Sequence, residues 1–290
     1  MMRIFLAGGT GVLGRRIVPA LLEGGHDVTV LARTPGAVVG AHAVRGDVLD
    51  AEATRLAVAE AAPDLVMHQL TDLAGGSGAA NAALRVAGTR NLVDATRAAG
   101  VGRLIVQSIA WCYEPGATPA SEDTPLDTGP APDGIPAGTG PARRITVDAV
   151  AAMEATAREV THAVVLRNGL FYGPGTWYWP DGSQAARARA GDLPATADVT
   201  SFVHVDDAAA AAVAALDWPP GAVNVVDDEP ADGYRWTPVF CAAVGAPPPP
   251  RADAPRQGWA RGATNAKARA LGWSPRRTSW RDGFRPAVSG

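Results

Sequence analysis

The sequence is short of lysine: among 290 residues there is one, Lys267, beside 25 arginines. No Tyr-x-x-x-Lys pair and no lysine Schiff base is therefore available before residue 267. Cysteine is scarce too. Cys112 and Cys241 lie far apart and in no Cys-x-x-Cys pair, which argues against a thiolate metal cage or a disulfide and for a reducing compartment. No His-Glu-x-x-His or similar ligand spacing occurs, so no metal is expected. No apolar run reaches the roughly 18 residues of a spanning helix. "MMRIFLAGGTGVLG" has neither a basic leader nor a small-residue cleavage site, so the expectation is a cytoplasmic protein with no membrane partner. An excess of one charge is also missing: the formal net charge is −3 with both signs interspersed, which excludes a basic stripe for nucleic acid. Apolar content is ample at 47%, enough for one large or two modest domains.

The apolar residues are ordered. "RIFLAGG" reads as a buried strand, "VLGRRIVPALLEGG" has helical spacing, and "HDVTVLAR" is β-rich again. The alternation continues through "AHAVRGD", the helix "AEATRLAVAEA", the strand "DLVMHQL", one long helix around "ANAALRVAGTRNLVDATRAAG" and the strand "VGRLIVQS". "THAVVLRNG" and "AVNVVDD" read as two further strands. Such alternation predicts an α/β fold, a Rossmann-type doubly wound parallel sheet covered on both faces. Residues 114–142 are rich in Pro, Gly and Asp without periodicity and read as a lid or a disordered loop.

"GGTGVLG" places Gly8, Gly11 and Gly14 between the first strand and its helix. Glycines there permit a tight turn, close approach of a pyrophosphate and helix-on-strand packing, with the helix N-terminus facing the anion. The turn residues Gly8, Thr10, Gly11, Val12, Leu13, Gly14 and Arg15 are thus the candidate dinucleotide cradle. At the tip of the second strand, where an acidic residue would hold the ribose hydroxyls, the chain has Ala32 and Arg33. A planar cation there suits a 2′-phosphate, which favours NADP over NAD, with Arg15 as a second clamp. The alternative is that both arginines are solvated surface residues.

These residues, with "RGDVLD", "AGTRNLVDATRAAGV", "LRNGLFYGPG", "FVHVDDAAAA" and "NAKARALGW", resemble the extended short-chain dehydrogenase/reductase superfamily, the NAD(P)-dependent epimerase/dehydratase group, across nearly the whole chain. The resemblance implies a nucleotide-binding domain over 1–169 completed by 200–228, and a smaller substrate region over 170–199 and 229–290. It assigns Asp47 to the adenine and places Val48, Gln69 and Leu70 along the cofactor. Typical members use a Ser or Thr after the fifth strand with a Tyr and a Lys to polarise a carbonyl or hydroxyl. Here the alignment puts Ile109 at the serine position, with Ser108 one residue earlier, Thr146 at tyrosine and Val150 at lysine. An aliphatic hydroxyl is a far weaker acid than a phenol with pKa about 10, so Thr146 cannot inherit the proton relay.

Other residues compete for that role. Tyr113 and Tyr172 follow the fifth and sixth strands, where open α/β sheets bind ligands, and either is a candidate proton donor or a packing residue. Ser108 and His204 complete the catalytic candidates, each with a structural alternative. Asn81 and Arg85, one helical turn apart, and Arg143 at the foot of the loop are candidate substrate contacts. Trp111, Trp177 and Trp179 are candidate walls of a pocket for a flat or apolar small molecule, or else a seam in the core. The reading that follows is an NADP-dependent oxidoreductase or epimerase/dehydratase-like enzyme with a non-standard proton relay, acting on a small, aromatic or apolar metabolite as a monomer or homodimer. Its rivals are a cyclase, isomerase or lyase on the same scaffold, and a non-enzymatic NADP sensor.

Overall fold

The computed structural model describes residues 1–34, 39–71, 78–129 and 140–285. Short β-branched runs and amphipathic segments alternate as the sequence predicts. The first half contains β1 (Arg3–Ala7), α1 (Gly14–Glu23), β2 (Asp27–Ala32), β3 (His42–Arg45), α2 (Ala51–Ala61), β4 (Leu65–His68), α3 (Gly78–Ala83), α4 (Thr89–Ala98) and β5 (Arg103–Ile109). Then come α5 (Pro141–Ala157), β6 (His162–Asn168), β7 (Leu170–Tyr172), α6 (Ser183–Arg189), β8 (Val199–Thr200), β9 (Phe202–His204), α7 (Val205–Ala214) and β10 (Gly221–Val225). The end of the chain carries β11 (Ala231–Asp232), α8 (Gly233–Ala243), α9 (Ala266–Ala270) and α10 (Trp280–Gly283).

Seven strands form a mostly parallel sheet in the order β10-β6-β5-β4-β1-β2-β3, with β7–β9 and β8–β11 as two-stranded pairs. β1 runs parallel to β2 and β4, with Leu6 opposite Val30 on one side and Met67 on the other. Strands flanked on both sides and covered by helices are apolar throughout, which is why β4 is buried at every residue. The expected doubly wound fold is observed.

The chain divides into two compact units. The first comprises Met1–Ser108, Thr128–Leu166 and Ala209–Ala222; the second comprises Ile109–Asp127, Arg167–Ala208 and Val223–Gly290. In the first unit Phe5, Val66, Leu104 and Val106 of the sheet pack with Leu92 and Val93 of α4 and Met153 of α5. Each such side chain contributes about 1.5–3 kcal/mol on burial. The core of the second unit is aromatic: Tyr172, Tyr178, Phe202, Trp236, Phe240, Trp280 and Phe284 cluster together, mostly edge-to-face.

Two expectations are corrected. The long helix predicted over residues 80–100 runs unbroken from Gly78 to Ala98 but contains an unexpected π-helical turn at Leu84–Gly88, where hydrogen bonds span an extra residue and shift the faces before and after it. The proline-rich segment is not uniformly a loose lid. Its part up to Asp127 is tied down: Tyr113 bridges Leu126, Gly116 N–H donates to the Gly258 carbonyl and Ala120 N–H to that of Gly262. Residues 130–139 of that segment lie outside the described residues.

Candidate active site

The glycine turn is held by its own backbone. Gly8 has φ +102°, and a Cβ there would sit 2.7 Å from the Gln69 carbonyl carbon. A Cβ on Gly14 would collide with the Gly8 carbonyl oxygen. Only glycine closes this turn onto the end of β4. Around it Thr10 is half-buried, Leu13 buried, and Gly11, Val12 and Arg15 exposed. Arg15 Nε donates to the Thr10 carbonyl. No side chain caps the N-terminus of α1 and no acidic residue lies in its first turn, so its positive end is left for an anion.

Beside the turn, Gln69 is buried with both side-chain amide atoms lacking a partner among the described residues. Buried amides are ordinarily satisfied, so the pair marks a place for a polar ligand atom, and a dinucleotide fits the turn. Leu70 next to it is half-buried, its N–H donating to His68 Nδ1. Asp47 is exposed at the end of β3 and accepts the Leu49 N–H, while Val48 is buried. Arg33 is exposed at the tip of β2 and makes no hydrogen bond or ion pair among the described residues.

Helix α5 begins after Gly140 with proline at its first position. It presents Val150, fully buried, and Thr146, whose hydroxyl is back-bonded to the Ala142 carbonyl at 3.1 Å. Ser108 Oγ donates at 2.7 Å to Glu154 Oε1 on the same helix, and Arg158 reaches the other oxygen at 2.9 Å. The Ser108 proton is committed to a fully buried carboxylate, which leaves the hydroxyl free only to accept.

The tyrosines are structural. Tyr113 is 1% exposed; its hydroxyl donates to Asn224 Oδ1 at 2.5 Å and accepts from Arg167 at 3.0 Å. Tyr172 ends β7, in the aromatic core against Phe202, His204 and Phe284, and burial drives its phenol pKa far up. Neither has an accessible proton to give, which corrects both candidacies. His204 is buried at the end of β9, its Nδ1 accepting the Asp206 N–H and lying 3.3 Å from Arg277, so it acts as a cap at the start of α7.

Asn81 is buried in α3 and Arg85 half-buried in the π turn. α5, which carries the buried Arg143, packs against both, so the three candidates sit on neighbouring elements. His68 Nε2 meets the Thr89 hydroxyl at 2.9 Å, and burial, aided by the Arg85 charge, lowers its pKa to about 4.

The second unit contains a pocket of about 190 Å³ lined by Ala110, Trp111, Gly169, Leu170, Asp198, Val199, Thr200, Ser201, Trp259, Ala260 and Gly262. Ala110 and Trp111 directly follow β5, and Gly169 follows β6, the strand ends where such sheets hold ligands. The rings of Trp111 and Trp259 are 6.1 Å apart at 52°. Trp177 and Trp179 are not part of this wall; Trp177 is 39% exposed. Trp259 escaped the sequence reading because it stands alone in "RQGWARG", without an aromatic neighbour or a periodic pattern. Among the described residues there is no group of His, Cys, Asp or Glu able to hold a metal, and no helix is long and apolar enough to cross a membrane.

Comparison with known proteins places the geometry. Residues 4–226 match the NAD dependent epimerase/dehydratase family. The chain is 46% identical over 309 aligned positions, covering 98% of it and 99% of the relative, to a 3-diazoavenalumate denitrifying reductase of a Streptomyces species. It is 31% identical to a 2-alkyl-3-oxoalkanoate reductase of Stenotrophomonas maltophilia, over 85% of this chain and 77% of that protein. Among solved structures it resembles a Bordetella bronchiseptica enzyme in complex with NAD and UDP, with TM-score 0.76, 26% identity and coverage of 98% and 91%.

Proposed function

We propose, on the ground that the chain belongs to the NAD dependent epimerase/dehydratase family and is a nicotinamide-dependent enzyme of oxidoreductase or epimerase type, that it is a cytoplasmic NADP-dependent reductase replacing the diazo group of a small aromatic metabolite by hydrogen. The 46% likeness to a denitrifying reductase over nearly the full length of both chains supports the substrate class. The observation that carries the reading is the Ser108 proton, which is bound to Glu154 of α5, the helix on which the family resemblance puts Thr146 and Val150 at the positions of the phenol and the lysine.

Reducing a carbonyl requires a proton on oxygen, and a relay to deliver it. Reducing a diazonium does not. A reduced nicotinamide, when bound, would supply hydride, and R–N2⁺ plus hydride balances as R–H plus N2, the C–N bond electrons leaving with N2 and no proton being needed. The chain's part is to position and to dehydrate. The Gly8–Gly14 turn and Gln69 would hold the pyrophosphate side of the dinucleotide, Asp47 its adenosine and Arg33 its 2′-phosphate. The apolar wall of the second-unit pocket would keep water from a carbon that reacts with it.

The test is stoichiometry. With an aryl diazonium compound, one N2 should appear per NADPH oxidised; steady NADPH oxidation with ketones but none with diazo compounds would contradict the reading. Arg33→Ala should raise the KM for NADPH about tenfold while leaving that for NADH nearly unchanged, the size expected for losing one charged contact to phosphate.

A further inference from the structure

The second-unit pocket carries a recognition chemistry of its own. Its wall has two tryptophans and one charged residue, Asp198, and no arginine or lysine. Asp198 Oδ1 accepts the Gln257 N–H at 2.8 Å, which fixes the carboxylate group. Arg261 stands in sequence between the lining residues Ala260 and Gly262, but its guanidinium binds the carbonyls of Thr118 and Glu114 and the Thr118 hydroxyl. A diphosphate placed here would meet apolar wall and a carboxylate with no cation to balance it. The volume of about 190 Å³ also suits one substituted ring; an apolar cavity of about 150 Å³ takes benzene.

We propose that this pocket binds a flat, single-ring aromatic cation, with the charge read by the Trp111 and Trp259 faces and by Asp198, and that it is where the diazonium-bearing ring of the substrate sits. The proposal rests on the reductase reading only for the identity of that cation. Indole faces attract a cation within about 6 Å, most strongly where water is excluded. The same wall discriminates against sugar nucleotides, so the pocket takes a different substrate class from the UDP bound by the Bordetella enzyme.

The experiment uses the full chain and a charge series on one ring: benzamidinium, benzamide and benzoate, followed by calorimetry and tryptophan fluorescence. Benzamidinium should bind at least about tenfold tighter than benzamide, with benzoate weaker than both. Asp198→Asn keeps an acceptor for the Gln257 N–H and should abolish the preference while retaining benzamide. Trp259→Leu should weaken all three without changing the circular dichroism; if it unfolds the chain, Trp111→Leu serves the same comparison. Benzamide binding as tightly as benzamidinium, an unchanged preference in Asp198→Asn, or displacement of the ring by UDP would overturn the proposal. Preference for benzamidinium in a chain that releases no N2 from any diazo compound would support the pocket and sink the reductase. Diazo turnover that benzamidinium does not inhibit competitively would do the reverse.

Discussion

Ser108 lies at the strand end where the resemblance seeks a catalytic hydroxyl, yet its hydrogen bond runs to Glu154, 46 residues away. That partnership makes it a structural donor. Ser108→Ala would remove one hydrogen bond to a fully buried carboxylate and should cost about 1–3 kcal/mol in urea unfolding. Under the proposed chemistry kcat for the diazo substrate should change less than about threefold, since no proton passes through the hydroxyl; a loss of a hundredfold would restore Ser108 to catalysis. Single residues were the scale least legible in the sequence. Ser108 was visible as a candidate, but that its hydroxyl faces Glu154 is a matter of tertiary distance. Trp259 gave no local signal, and Tyr113 looked free because its partners Asn224 and Arg167 lie on later strands.

Elements were read better, because hydrophobic period and glycine placement are local. β1, the Gly8–Gly14 turn and α1 follow from "RIFLAGGTGVLGRRIV", and α2 fills the stretch the periodicity marked. The π turn at Leu84–Gly88 was not legible, since no residue type forces it. Strand ends also carry two displaced titrations. His68, the last residue of β4, has its pKa lowered by burial from 6.5 to about 4, so between those values the unfolded chain binds more protons and stability rises with pH, reaching its full value above 6.5. Asp227, two residues after β10, has its pKa raised by burial from 3.8 to about 8, and its Oδ2 lacks a partner among the described residues. There the unfolded chain binds fewer protons, so stability falls as pH rises from about 4 through 8. The urea midpoint should therefore drop between pH 6.5 and 8.5, where only Asp227 of the two still titrates. Asp227→Asn should remove at least ~1 kcal/mol of that drop; an unchanged slope would show that the carboxylate is already ionised in the fold.

At the scale of the whole molecule the scaffold and the chemistry come apart. The doubly wound sheet and its glycine turn were carried by repeated local patterns, whereas the strand order comes from the structure. The proposed reaction was not carried by such patterns, because it would rest on the side chains of α5 and on a pocket assembled from segments about 150 residues apart in the chain. The central claim is that hydride arrives at carbon with no accompanying proton. It is tested most directly by running the diazo reaction with NADPH deuterated at the transferred position in H2O, and with unlabelled NADPH in D2O. The account predicts one deuterium at the former C–N carbon in the first case and none in the second; deuterium entering that carbon from solvent would contradict it.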